Sequence, residues 1–174
     1  HKNKFNNYFF PFFKQIFYLQ LVSLSFVVIF FALLSRAWKE DRQKYEKLAN
    51  ILSEIIILIV VPMALVGVLN ADYLIKTFYS AEYGQGVLTL QILCLCLIPM
   101  GVQRVLCTGI MVSMDKSSRM FALANITFIF NFILGVLLIG NLQRPDIGAA
   151  LTKVLTEILS LIISLIVAYF LLRQ

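Results

Sequence analysis

Charge is scarce in this chain, and what there is lies outside long tracts. Asp, Glu, Lys and Arg make up 14% of its 174 residues, and the thirty-two residues from Tyr83 to Met114 hold one charge, Arg104. There is one histidine, His1, at the N-terminus. That removes the usual general base and leaves no Ser/His/Asp set. No G-x-x-x-x-G-K-[ST] phosphate loop and no acidic pair of the glycosidase type appears either. The three cysteines, Cys94, Cys96 and Cys107, lack metal-ligand spacing and do not form an even-numbered secreted framework. They read as small apolar fillers. The sequence therefore points away from an enzyme, from a metal site and from a bound cofactor.

What is present in excess is apolar surface. Hydrophobic residues make up 60% of the chain and the mean hydropathy is +0.88, against about half apolar and a quarter charged for a soluble domain. A fold of this size has no aqueous way to bury that surplus, so the natural solvent is a bilayer. The net charge of +6 fits headgroup contact and orientation better than nucleic-acid binding. Five stretches are long enough to span: Gln15–Leu34, Ile51–Leu69, Val87–Val112, Phe121–Ile139 and Gly148–Leu172. No period-2 alternation competes, so the expected class is all-α, a polytopic transmembrane helical bundle. The short links house no soluble domain. The chain also lacks a starting Met and reads as part of a longer one.

Lysine and arginine counts set the direction. One side collects Arg36, Lys39, Arg42, Lys44, Lys47, Lys116, Arg119 and Arg173, and the other Lys2, Lys4, Lys14, Lys76, Arg144 and Lys153. The denser side is placed in the cytoplasm, together with the C-terminus. In the first link Trp38, Tyr45, Leu48 and Leu52 share a helical face, which predicts an amphipathic helix lying on the headgroups and running into the second span.

The residues that matter most are polar ones inside the spans. An arginine at a helix centre costs about 2.5–3.5 kcal/mol on insertion scales. Arg104 lies roughly 15 Å before the cytoplasmic end of its span, at about 1.5 Å per residue. It either snorkels to the headgroups or lines a wet cavity. Lys153 and Glu157 stand i,i+4 on the last span, with Thr152, Thr156 and Ser160 beside them and Asp146 placed as an N-cap. Asn125, Thr127 and Asn131 mark the fourth span, for interhelical hydrogen bonds or for ligand. Arg104, Asn125, Asn131, Lys153 and Glu157 are thus the candidate substrate-binding residues. Pro62, Pro99 and Gly101 are the candidate hinges, because proline removes a backbone hydrogen bond and glycine allows bending.

Several segments resemble one family. "LLSRAWKEDRQKYEKLANIL" (Leu33–Leu52), "VVPMALVGVLNADYLIKTFYSAEYGQGVLTLQIL" (Val60–Leu93), "KSSRMFALANITFIFNFILGVLLI" (Lys116–Ile139) and "DIGAALTKVLTEIL" (Asp146–Leu159) follow one another in a familiar order. They carry an early proline in a span, an aromatic link with glycine, a basic turn before an Asn-containing span, and a "GAA-x-x-T" helix start. The chain from Leu33 onward resembles the C-terminal part of Wzx-type polysaccharide flippases, in the multidrug/oligosaccharidyl-lipid/polysaccharide exporter superfamily. "FNNYFFPFFKQIFYLQ" departs from that pattern. The resemblance implies part of the second bundle of a twelve- or fourteen-helix transporter in the bacterial inner membrane. It also implies an undecaprenyl-pyrophosphate-linked oligosaccharide as cargo, moved by alternating access against an N-terminal bundle of the same protein. The rival readings are a drug or cation exporter of the same superfamily and a membrane-embedded polysaccharide polymerase or ligase. The last needs a large periplasmic loop that this chain does not contain.

Overall fold

A computed structural model describes residues 21, 24–78 and 81–173, and all of its regular structure is helical. Helix α1 is described over 24–40. It is followed by α2 (Arg42–Leu69), α3 (Ala71–Phe78), a 3₁₀ turn (Ala81–Gly86), α4 (Val87–Leu95), α5 (Leu97–Arg104), a π-helical segment (Val105–Met111), α6 (Ser117–Asn141) and α7 (Pro145–Arg173). Four stretches among the described residues are long and apolar enough to cross a membrane: Arg42–Leu69, Gly84–Met111, Ser117–Asn141 and Pro145–Leu171. The chain is an all-α, polytopic bundle of membrane-spanning helices. The predicted span Gln15–Leu34 lies partly outside the described residues.

The first link is not the headgroup helix that its pattern suggested. Asp41 adopts an extended conformation (φ −155°, ψ 112°) and caps α2, its side chain accepting from the backbone N–H of Gln43 and of Lys44. The link is thus the end of α1 and the start of α2, with an elbow between them. Tyr45 and Leu52 are completely buried, so the apolar face belongs to the core and not to lipid headgroups. Trp38 meets Tyr45 edge to face at 5.1 Å between ring centroids, and the Arg42 guanidinium lies 5.8 Å over the Trp38 ring.

The span Gly84–Met111 is the centre of the bundle, with more than half of its apolar window buried. It is not a continuous α-helix. Pro99 has no N–H for the Leu95 carbonyl, and the helix is interrupted at Cys96, whose N–H is shared between the Ile92 and Leu93 carbonyls at 3.3 and 3.2 Å. Beyond Arg104 the ladder widens to five residues: Val112 N–H donates to the Cys107 carbonyl at 3.1 Å, and Lys116 N–H to the Met111 carbonyl at 2.9 Å. Asp115, in the left-handed region at φ 59°, turns the chain into α6. By contrast, α2 runs unbroken through Pro62, which is exposed. Of the three hinge candidates, then, Pro99 accompanies the interruption at Cys96, whereas Gly101 sits within α5 and Pro62 within α2.

The registers are regular. Helix α2 runs antiparallel to the central span, and glycines set the approach. A Cβ at Gly101 would stand 2.8 Å from Val60 Cγ2, and one at Gly109 3.2 Å from Leu52 Cδ2. Helix α7 runs parallel to the central span at a constant offset of 57 residues, seen in Thr89–Asp146, Gln103–Ser160 and Cys107–Ser164. Helix α6 folds back antiparallel on α7, and only 6% of its apolar window is buried. Phe121, Phe128 and Phe132 stand exposed on its outer face, which suits lipid contact in a span.

The tightest point of the α6–α7 hairpin is Gly148, where a Cβ would meet the Leu138 carbonyl oxygen at 2.8 Å. That neighbour is backbone and cannot rotate away. Gly148→Val is expected to wedge the hairpin apart and destabilise the protein by about 1–3 kcal/mol, the usual range for overpacking. Gly140→Ala, where an added Cβ meets nothing within 4 Å, is expected to be neutral or slightly stabilising. Thermal melting of the two purified variants against the parent in one detergent checks both outcomes.

Candidate functional site

One face of α7 carries a polar file through the bundle. Asp146, Thr152, Thr156, Glu157, Ser160 and Ser164 are all buried, the last two completely. From Asp146 to Ser164 the file covers eighteen residues, roughly 27 Å at about 1.5 Å per residue, close to the ~30 Å hydrocarbon thickness of a bilayer. The four-residue spacing of Thr152, Thr156, Ser160 and Ser164 keeps the hydroxyls on one stripe. Thr152, Thr156 and Ser164 each donate back to the carbonyl four residues earlier, at 2.7–2.8 Å.

Neighbouring helices read this stripe. The Asn131 side-chain amide of α6 donates to Thr156 Oγ1 at 3.1 Å. Ser160 is met from both sides: the Gln103 side-chain amide of α5 donates to its Oγ, and the Thr127 hydroxyl of α6, which donates to the Leu123 carbonyl at 2.7 Å, lies 3.4 Å away. Cys107 of the π segment lies 3.5 Å from Ser164 Oγ. At the other end Thr89 of α4 donates to Asp146 Oδ2 at 2.7 Å, and Arg144 Nη2 bonds the same oxygen at 2.8 Å and the Gln85 carbonyl at 2.5 Å. Asp146 was expected to be an N-cap. Instead α7 begins at Pro145, the Gly148 N–H bonds the Arg144 carbonyl, and the Asp146 carboxylate ties α7 to α4.

The two walls diverge. At Ser160 both α5 and α6 touch one hydroxyl. Toward Asp146, α4 holds Asp146 while α6 holds Gly148, two positions apart and so about 200° around the helix at 3.6 residues per turn. α7 thus meets α4 and α6 on different sides at this end, and Gly148, Ala149 and Ala150 are buried there. Lys153 and Glu157 lie on α7 seven and three residues before Ser160. Lys153 Nζ stands 2.5 Å from Glu157 Oε1, with 26% and 10% of the two side chains exposed. By the 57-residue offset, the break at Cys96 is level with Lys153.

Among the sequence candidates the structure pairs Lys153 with Glu157 on α7 and brings Asn131 of α6 onto Thr156 of the same helix. Asn125 is set apart: it is exposed, and its amide bonds the Phe121 carbonyl of its own helix at 2.8 Å. Arg104 is half-buried at the end of α5, next to Gln103. On a helical wheel it falls between the Gly101 face toward α2 and the Gln103 face toward α7. It lies roughly 12 Å deeper along the axis than Lys153, counting about 1.5 Å per residue in register, and so marks a second polar position. Gln103 and the Thr89–Asp146–Arg144 cluster carry contacts that pattern reading did not weigh. Ser164, continuing the hydroxyl stripe by four, was the available signal. Among the described residues no three His, Cys, Asp or Glu side chains group as a metal site. No family profile, curated protein or solved structure matches the chain.

Removing one member of a buried ion pair strands the other, whereas replacing both by apolar groups is often neutral. Glu157→Leu alone is therefore expected to destabilise by more than about 1 kcal/mol, and Lys153→Met with Glu157→Leu to recover most of that loss. Denaturation of the two single variants, the double variant and the parent in one detergent gives the coupling. Additive single effects would show that the pair contributes nothing.

Proposed function

We propose that this chain is the C-terminal part of a transporter that moves an anionic, lipid-linked oligosaccharide across a bacterial inner membrane. The C-terminus is placed in the cytoplasm. One observation carries the reading: a buried polar file as long as the bilayer is thick, holding a charged pair beside an interrupted helix. Intramembrane ionisable groups are expensive and gather where a polar path or ligand site exists. Interrupted helices occur in membranes where the irregular backbone lines a cavity or is covered by protein.

The segments from Leu33 onward that resemble Wzx-type flippases support the cargo class, and so does the chemistry. A pyrophosphate head carries planar acceptor oxygens, and Arg104 supplies an always-charged donor fork for them. Lys153 supplies a second, flexible cation. The sugars are matched by amide and hydroxyl groups such as Asn131 and Thr156. The exposed apolar faces of α2 and α6 suit the lipid tail, bilayer lipid and the N-terminal bundle of a longer protein. A drug or cation exporter of the same superfamily is the second reading, favoured by the buried carboxylate of Glu157.

The test uses the full-length protein in a strain that depends on it for surface polysaccharide. Arg104→Ala is expected to reduce surface polysaccharide at least tenfold while membrane abundance stays at the parent's level, with Arg104→Lys intermediate. Normal polysaccharide with Arg104→Ala at normal abundance overturns the assignment of Arg104 to cargo binding. Labelling single cysteines in the 36–50 region with an impermeant thiol reagent tests the orientation: reaction in intact cells would reverse it.

A further inference from the structure

Asn125 is a polar residue on the outside of the bundle. Helix α6 meets α7 through Thr127, Asn131 and Gly135, and Asn125 is turned away from that contact and exposed. Counted from Ser117 and Asn141, the ends of its helix, it lies roughly 12 and 24 Å in at about 1.5 Å per residue. From that depth its short side chain does not reach the headgroups as a lysine or arginine would. Its amide donates to the Phe121 carbonyl at 2.8 Å, and the structure gives the side chain no other bond. One N–H and the Oδ1 acceptor are left over. In hydrocarbon an unpaired amide is costly.

The amide belongs to a regular seam. Alternating steps of four and three from Ser118 lead to Ala122, Asn125, Ile129, Phe132, Val136 and Ile139, and every one of these residues is exposed. That is the repeat by which one helix packs along another, and a single Asn within it sets the register. Arg119, the charged residue of the first turn, lies about 120° around the helix from Asn125, so a helix laid on the seam does not face it.

Lipid serves Ile129, Phe132, Val136 and Ile139 well and has no bond for the amide. Another helix of the same chain would have to bring a matching group to this level. A second copy brings one by symmetry. Two copies inserted in the same direction are related by a two-fold axis along the membrane normal, so α6 meets α6 in parallel and each seam residue meets its own counterpart. The amide is self-complementary, because it holds both a donor and an acceptor. Interhelical bonds of this kind, together with close packing, drive helix association in a bilayer.

We propose that the protein forms a parallel homodimer in the membrane through this seam of α6, each Asn125 giving its second N–H to the Oδ1 of the other copy. The pairing goes beyond the transport reading and does not depend on the cargo. Ile126 and Leu137, exposed on the same helix but about 100–120° around from Asn125, stay with lipid.

The full-length protein with its native cysteines replaced, and Asn125 kept, tests this by crosslinking. Mild oxidation in native membranes is expected to link Ala122→Cys and Ile129→Cys into dimers at least tenfold faster than Ile126→Cys and Leu137→Cys. Energy transfer between labelled copies, followed as the protein is diluted in liposomes, gives the dissociation constant. Asn125→Leu is expected to raise it about tenfold, the size of effect expected for losing two interhelical hydrogen bonds. Asn125→Gln, which keeps the amide, should raise it less, and Ile126→Leu should leave it unchanged. Dimer links at no position, equal links at all four, or an Asn125→Leu dimer as tight as the parent's overturns the proposal. So does a monomer in which Ile129→Cys reacts with a water-soluble thiol reagent, which would put Asn125 on a polar path of its own chain. A monomer in which that position is shielded would put another helix of the same chain over the seam, and overturns it too.

Discussion

The hydroxyl of Ser160 is the point on which the arrangement turns. It is completely buried on α7, accepts from Gln103 of α5 and lies 3.4 Å from the Thr127 hydroxyl of α6. In a bilayer no hydrophobic force draws apolar helices together, so association rests on close packing and interhelical hydrogen bonds. Ser160 ties three spans at one level. Below it, Cys107 and Ser164 continue the parallel contact between the π segment and α7. Above it, α4 and α6 part, each held by a different residue of the first α7 turn. The Lys153–Glu157 pair lies on α7 between these two levels.

The central span owes its shape to two local decisions. Pro99 withdraws a donor and interrupts the helix at Cys96, and a five-residue ladder takes over after Arg104. At the end of the π segment the Ile110 carbonyl, which accepts from the Met114 N–H at 3.2 Å, is also met by a side chain of α2. Tyr45 Oη lies 3.3 Å from the Ile110 carbonyl and 3.1 Å from Ser113 Oγ. The elbow at Asp41 is thereby coupled to the π segment, and through α5 to the Ser160 knot.

Much of this was legible in the residues. Apolar run lengths located the four described spans, although the helix of the second starts at Arg42, nine residues before the predicted Ile51, since a stretch that must cross a bilayer has few alternatives. The i,i+4 relation of Lys153 and Glu157 predicted their pairing, and Pro99 predicted an irregular helix. Three features were not readable. Tyr45 and Leu52 lie on a face that looks equally suited to headgroups or to a core, and only the Asp41 elbow decides which. Asp146 follows a proline and looks like a cap, but its long-range partner Thr89 is 57 residues away. Asn125 and Asn131 are alike in pattern, yet six residues of helix turn one outward and the other onto Thr156. Local periodicity cannot tell which of two polar faces will find a neighbour.

The central claim is that the polar file on α7, where the Lys153 side chain is 26% exposed, opens into a wet cleft of the full-length protein at the level of Lys153. Cysteine accessibility tests it directly. In the full-length protein with Cys94, Cys96 and Cys107 replaced by serine or alanine, Lys153→Cys and Ile158→Cys are reacted separately with a small charged methanethiosulfonate. Ile158 is exposed on the outer face of α7, where the account places lipid. Position 153 is expected to react at least tenfold faster than position 158. Equal, slow reaction at both positions would show that the cleft is dry and would contradict the account.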